Sequence, residues 1–337
     1  MKKVLIDIGS CDFPQKMIRG ALEAATAFPA YGITVVGDGK LIDETAGEKR
    51  PSNFFVVDAP EVITNDDVPS RAIRQKPDSS LVKSIYMLKD SDEYIGLISG
   101  GSTGAVLMGS TLILRRIKGV SRPVLASFMP TAVEGKLVCI ADSGANVDSK
   151  PEFMAQFAVM ADIYVRSLLG IEKPVVGLLS VGTEDHKGDE RTRAVHALLK
   201  SMPLEFAGNM EARDALSGDY DIIVTDGFAG NVLIKSVEGT AKMVMGELKK
   251  ALFSSTKAKI GALLMKKQLG KMKKRMDYHS YGGAAFLGVN KLVMKTHGSS
   301  NEVSTKASVS NLIKIYEQDI IKKIADGMAD GGEDNAD

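Results

Sequence analysis

The sequence has no tryptophan, and aromatic residues fill only 6% of its 337 positions. A nucleic-acid platform built on base stacking is therefore excluded. Its two cysteines, Cys11 and Cys139, make neither a zinc spacing nor a disulfide framework. Cys139 lies in the apolar run Lys136–Ala141 and reads as a buried thiol. The four histidines, His186, His196, His279 and His297, lack metal-ligand spacing. There is no excess of charge: the formal net value is +1, too small for a general pull on polyanions. No run approaches the ~20 uninterrupted apolar residues needed to cross a bilayer, and Val4-Leu-Ile6 after Met1-Lys-Lys is too short for a signal-peptide core. G-x-x-x-x-G-K-[ST], G-x-G-x-x-G and H-E-x-x-H are all missing, so nucleotide, dinucleotide and zincin readings lack their anchors. These absences point to a cytoplasmic, reduced protein with no metal and no cofactor.

What remains is an ordinary globular composition, 44% apolar and 25% charged, arranged in a repeating order. Short apolar runs (Val4–Ile8, Ile33–Val36, Phe54–Val57, Tyr94–Ile98, Leu137–Ile140, Val175–Leu179, Asp221–Val224) alternate with helix-period segments. Alternating strands and helices predict a mostly parallel sheet covered on both faces. In such sheets ligands bind at the carboxyl ends of strands. The polar and glycine-rich residues collect there in every unit, which predicts one composite crevice.

Gly100-Gly101-Ser102-Thr103-Gly104 lies between a strand and a helix. It reads either as an anion cradle, with helix N–H groups offered to a ligand, or as the G-x-S-x-G of a hydrolase nucleophile. Asp142–Asp148, Thr183–Glu190 and Asp226–Asn231 are more polar than turns require. Lys187, in a glycine-flanked loop, is either a phosphate-holding point charge or a solvated lysine. Asn231, opening a helix, is either a cap or an oxyanion-stabilising amide.

Residues 237–276 break the alternation. No acidic residue occurs between Lys249 and Met276, and apolar residues interleave with many lysines. With Ser254-Ser-Thr256 as a turn, the stretch predicts a helical hairpin. Its apolar face serves a dimer interface, a membrane surface reached through Leu252 and Phe253, or both. The tail from Asp326 is acidic and glycine-rich and is expected to be disordered.

Taken together, Ala59-Pro-Glu-Val-Ile63, Gly144-Ala-Asn-Val-Asp148, Lys150-Pro-Glu152, Gly182-Thr-Glu-Asp185, Lys187-Gly188, Gly208-Asn209, Thr225-Asp-Gly-Phe228, Gly230-Asn-Val232, Tyr281-Gly-Gly-Ala284 and His297-Gly-Ser-Ser300 resemble the acyl-acyl-carrier-protein:phosphate acyltransferases, the PlsX family. The resemblance runs from Val4 to about Ile315. It implies a Rossmann-like αβα sandwich related to phosphotransacetylases, in one domain over 1–325, with the hairpin at 237–276 protruding and a tail at 326–337. It implies a homodimer that moves a long-chain fatty acyl group from acyl carrier protein to inorganic phosphate for phospholipid synthesis. A membrane surface and a downstream glycerol-3-phosphate acyltransferase would be further partners; nucleic acid would not.

Under this resemblance Lys187 and Asn231 are catalytic. Lys187 would position phosphate and offset developing charge, and Asn231 would stabilise the tetrahedral oxyanion. Asp7, Gly101, Ser102, Thr103, Gly104, Asn146, Asp226, Gly230 and His297 would form the phosphate and acyl crevice. Acyl carrier protein is acidic, so Arg71, Arg74, Arg115 and Arg116 are expected to steer its docking. Two loops depart from the family: Asp7-Ile-Gly-Ser-Cys-Asp12 replaces Asp-Ala-Met-Gly-Gly-Asp, and Gly101-Ser-Thr-Gly104 replaces Gly-Asn-Thr-Gly. The alternatives are an acyl-CoA-dependent phosphotransacylase and a non-catalytic scaffold binding carrier protein at the membrane. Because the family carries an amide at position 102, the nucleophile reading gives way to the cradle. Ser102→Asn, which would abolish a serine hydrolase, is expected to leave acyl transfer intact when acyl phosphate formation is measured.

Overall fold

The computed structural model describes residues 1–276, 281–298 and 300–330; His279, Ser299 of the His297–Ser300 motif and the tail 331–337 lie outside them. In chain order the elements are β1 (Lys3–Asp7), α1 (Pro14–Ala27), β2 (Gly32–Gly37), α2 (Gly39–Ala46), β3 (Phe54–Asp58), α3 (Pro69–Gln75), α4 (Ser80–Asp90), β4 (Tyr94–Ser99) and α5 (Thr103–Gly109, running into a π-helical turn, Ser110–Leu114). Then come β5 (Val124–Pro130), β6 (Leu137–Ala141), α6 (Pro151–Leu169), β7 (Val175–Ser180), α7 (Glu190–Ser201), β8 (Glu205–Glu211) and β9 (Ile222–Val224). The chain closes with α8 (Gly227–Leu252), α9 (Thr256–Leu264), α10 (Lys266–Met276), β10 (Ala284–Leu287), β11 (Leu292–Lys295), α11 (Glu302–Glu317) and α12 (Ile320–Asp330).

The described strands join one 11-stranded sheet in the order β3-β2-β1-β4-β11-β10-β5-β6-β9-β7-β8. Pairing is parallel at both ends of that order, and antiparallel only at β11–β10, β10–β5 and β5–β6. Three reversals turn the second parallel block round, so the carboxyl ends of β1 and β4 and those of β6, β7 and β9 face opposite edges. The single row of carboxyl ends expected from the sequence is therefore corrected. The crevice lies across the antiparallel centre instead, where the two blocks meet.

The apolar strand runs are buried on both faces. One core cluster joins Ile6 and Ile33 to Met17, Ile18 and Ala21 of α1, Phe157 and Ala161 of α6, and Leu312 of α11. A second joins Leu5 and Leu97 to Ile73 of α3, Ile85 of α4 and Val106 of α5. A third lies under α8, where Leu233 meets Val138, Ile140 and Ile223. This is the three-layer αβα sandwich the sequence predicts. Two sequence boundaries change. The descending arm of the hairpin is two helices, α9 and α10, and the expected disordered tail is helical as far as Asp330. Ile320 and Ile324 of α12 are buried against the core, which gives this segment an apolar reason to fold.

Gly20 of α1 faces α11 so closely that a Cβ would stand 2.6 Å from Thr305 and 2.7 Å from the Glu302 carbonyl. Gly20→Ala is expected to lower stability by about 1–3 kcal/mol, read as a reduced midpoint in denaturant with an unchanged slope.

Candidate active site

A crevice of about 420 Å³ opens over the antiparallel centre. Its walls come from the loop after β1 (Ser10, Asp12), the glycine turn after β4 (Gly100 to Thr103), β5 with Ser127 and Met129, and Ser143. The end of β11 and the loop after it add Lys295, Thr296, His297 and Gly298. Along one side runs α8, presenting Asn231, Ile234, Lys235 and Glu238, the i, i+3, i+4, i+7 spacing of one helix face.

Three acidic side chains build this frame from behind. Asp7 is buried; one carboxylate oxygen accepts hydrogen bonds from the Ser80 hydroxyl at 2.6 Å and the Gly9 N–H at 3.0 Å, and the other from the Ser99 hydroxyl at 2.6 Å. The Gly101 N–H donates to the same Ser99 hydroxyl at 3.1 Å, so Asp7 fixes the glycine turn through one intermediary. Asp142 is fully buried and folds the loop after β6 around itself. Its oxygens accept from the backbone N–H groups of Gly144 (3.0 Å), Ala145 (2.9 Å) and Asn146 (2.7 Å), and from the Asn146 amide (2.8 Å). Burial pushes the Asp142 carboxyl above its usual range, and these donors pull it back. Asp226 caps α8, accepting from the Ala229 N–H at 2.7 Å, and is ion-paired with Arg191. Arg191 also reaches Asp148 at 3.3 Å, so it ties the loops after β6, β7 and β9 into one unit.

The residues expected at the site separate into groups. Gly101, Ser102, Thr103, Asn231 and His297 line the crevice. Asp7 and Asp226 hold backbone, as described. The Asn146 amide donates to the Pro123 carbonyl at 2.8 Å as well as to Asp142. Gly230 is a point of close approach: a Cβ there would run into the Asp142 carbonyl oxygen. Gly104 faces Pro69, whose Cγ would stand 3.0 Å from a Cβ at that position. Lys187 is exposed on its loop and is not among the crevice-lining residues; the Arg191 bridge connects that loop to the head of α8.

Sequence reasoning passed over Lys295, Lys235, Ser10 and Ser127, all of which line the crevice. Lys235 bonds Glu238 at 2.8 Å and approaches the His297 ring at 3.4 Å. Cys11, the residue that departs from the family's glycine, sits beside the crevice with its thiol 2.9 Å from the Met17 sulfur. Its thiol is pushed far up by burial and by Asp7, so it is no thiolate nucleophile.

A second cavity, about 1060 Å³, adjoins the first and shares Met129 and Glu238 with it. Its other walls include Pro130, Leu216, Val237, Ala241, Met272 and Tyr281, a mostly apolar set beneath α8 and α10. Ionic and apolar spaces thus meet at Met129. Elsewhere, Arg71 and Arg74 flank a groove with Met108 and Leu112, and Leu112 is 47% exposed. Arg115 and Arg116 are exposed beyond the π-helical turn. At the hairpin tip Phe253 is 57% exposed while Leu252 is half-buried; Ile260, Leu263, Leu264 and Met265 are also exposed. No described helix is long and apolar enough to cross a membrane, and no described cluster of His, Cys, Asp and Glu could hold a metal ion.

Comparison with known proteins adds three findings. A family profile described as "Fatty acid synthesis protein" matches residues 2–323. The phosphate acyltransferase of Clostridium novyi is 43% identical over 326 residues, 96% of this chain and 97% of that protein. That of Brevibacillus brevis is 41% identical over 327 residues, covering 97% of each. Among solved structures, a phosphotransacetylase from Streptococcus pyogenes superposes with a TM-score of 0.55 at 15% identity, over 97% of this chain and 94% of that one. A branched-chain phosphotransacylase from Enterococcus faecalis does so at 0.53 and 16%, over 93% and 99%. These structural likenesses show a shared fold, the phosphotransacetylase-like α/β arrangement.

Asp142→Ala would orphan the four backbone donors, from Leu125, Gly144, Ala145 and Asn146, now satisfied by one buried carboxylate. It is expected to cost about 3–5 kcal/mol, measured by equilibrium unfolding.

Proposed function

The chain belongs to the phosphate acyltransferase family, and from that premise we infer that it transfers a long-chain fatty acyl group from acyl carrier protein to inorganic phosphate, giving acyl phosphate. The observation that carries the reading, beside family membership, is the junction at Met129 between a polar crevice and an apolar cavity. A thioester with a long acyl chain needs both: cationic and N–H groups at the reacting carbonyl and an apolar space for the chain. Fully burying methylenes there contributes roughly 0.8 kcal/mol each.

The chemistry needs no enzyme nucleophile. A phosphate oxygen adds to the thioester carbonyl carbon, forming a C–O bond and a tetrahedral oxyanion. Collapse breaks the C–S bond, and the proton of hydrogen phosphate ends on the departing thiol. The Asn231 amide, lining the crevice, stabilises the oxyanion. Lys187, on the loop that leads into the helix carrying Arg191, acts from the rim as a positive charge that offsets the negative charge developing on oxygen. Ser102, Thr103 and the Gly101 backbone form the wall against which phosphate rests, with Gly104 and Gly230 permitting close packing and His297 opposite. Holding both substrates together supplies the entropic part of the acceleration.

Carrier protein docks on Arg71, Arg74, Arg115 and Arg116, where charge steers encounter. The hairpin pairs two copies in a homodimer and presents Leu252 and Phe253 to the inner face of the membrane, with the surrounding lysines favouring anionic lipid. The acyl phosphate then passes to a glycerol-3-phosphate acyltransferase.

The test is phosphate-dependent release of carrier thiol together with acyl phosphate trapped by hydroxylamine. Lys187→Ala and Asn231→Ala are expected to lower kcat by about 10²–10³-fold. Greater activity with acyl-CoA than with acyl carrier protein at equal phosphate would overturn the carrier assignment; no acyl phosphate at all would leave a scaffold. Charge reversal at Arg71 and Arg74 is expected to raise the KM for the carrier and to flatten its dependence on salt.

A further inference from the structure

We propose that Lys295, which lines the crevice at the end of β11, is the cation that binds the phosphate substrate; this rests on the phosphate acyltransferase reading above. Lys295 closes β11 after three apolar residues, Leu292-Val-Met294. The register pairs it with Ser99 on one side and Ala284 on the other. That position sets its side chain between two glycine turns, Gly100-Gly101 and Gly282-Gly283, all four of which line the crevice. Side chains are missing from the turns on both flanks, so an anion approaching Lys295 meets backbone rather than bulk.

The ammonium of Lys295 donates to the Thr296 carbonyl, and it has no carboxylate within ion-pair distance among the described residues. The other crevice lysine is already engaged, since Lys235 holds Glu238 at 2.8 Å. A half-buried ammonium with no counter-ion is costly, and a bound dianion offsets that cost. The groups around Lys295 agree with this. Burial pushes its pKa down to about 8, and the positive charge of Lys235 acts in the same direction, while Cys11, Asp7 and Asp12 oppose both. Asp7 already receives three hydrogen bonds from neutral donors; it tempers the positive field without closing the site.

A second, independent feature faces the same space. Ser10 lines the crevice, yet its hydroxyl oxygen is buried without a hydrogen-bond partner among the described residues. It lies 3.3 Å from where a side chain on Gly101 would begin. Buried hydroxyls are almost always paired. A phosphate oxygen held by Lys295 supplies the partner that the protein does not. Lys187 then acts on the thioester side, and Lys295 on the phosphate side, of one reaction.

The experiment is steady-state kinetics with acyl carrier protein thioester and varied inorganic phosphate. Lys295→Met is expected to raise the KM for phosphate at least 30-fold with little change in the KM for the carrier. Lys295→Arg is expected to recover part of that loss. The wild-type KM for phosphate should also rise as pH passes about 8, where the ammonium deprotonates, and Lys295→Arg should remove that rise. Should Lys295→Met fail to fold, reductive methylation of the wild-type protein is read peptide by peptide. Inorganic phosphate should then protect Lys295 and leave Lys187 labelled. An unchanged KM for phosphate in folded Lys295→Met, or protection of Lys187 without Lys295, overturns the proposal while leaving acyl transfer standing. Absence of phosphate-dependent thiol release from the wild type would instead strike the family-based reading itself.

Discussion

The three successive antiparallel pairings at the centre of the sheet, β11–β10, β10–β5 and β5–β6, are the constraint on which the remainder depends. The two that flank β10 cancel, and the third, β5–β6, turns the second block round. Without that odd count the two parallel blocks would run the same way, with every strand-end loop at one edge. With it, the blocks run in opposite directions and the central strands lie open between them. The loops after β1, β4 and β11 arrive from one block; the loop after β6 and the head of α8 arrive from the other. The crevice exists because those groups must meet over β5, whose Ser127 and Met129 form its base.

Within that frame, polar groups are divided between support and chemistry. Asp7, Asp142 and Asp226 direct their carboxylates to backbone N–H groups, hydroxyls and Arg191. They make the loops rigid, which is what a site built on loops requires. Asn231, Lys235, Lys295 and Ser10 line the crevice.

Much of this was legible in the sequence. Alternation of apolar runs with helix-period segments pointed to the layered α/β architecture, because parallel strands buried on both faces leave unmistakable apolar runs. The family motifs pointed to Asn231 and the Gly101–Thr103 wall. Three strands were not legible. β5 (VLASFMP) carries a serine and a terminal proline, β8 (EFAGNME) is interrupted by glycine, and β10 (AAFL) spans four residues after a glycine pair. Each is defined by its pairing, β5 and β10 with each other across the chain and β8 on β7, rather than by local preference. Missing β5 and β10 meant missing the reversal, and with it the true location of the crevice. Lys295 escaped for a related reason: a lysine ending an apolar strand looks like an ordinary solvent-facing terminus until the flanking glycine turns are seen beside it. For Asp7 and Asp226, the family resemblance implied a place in the substrate crevice, while the geometry shows side chains already occupied by hydrogen bonds and an ion pair.

One helix, α8, begins at the crevice and ends at the hairpin tip, 26 residues without a break. At about 1.5 Å per residue, Asn231 and Leu252 stand roughly 30 Å apart along a rigid rod. The rod acts as a ruler. Wherever the tip comes to rest, the crevice stands at a fixed height above it, comparable to the thickness of a small folded domain. Lengthening or shortening α8 by a turn would change that height by ~5 Å and rotate the tip little, whereas one or two residues would swing it about the axis. The length of a single helix therefore fixes both the stature and the heading of the crevice relative to whatever the hairpin touches.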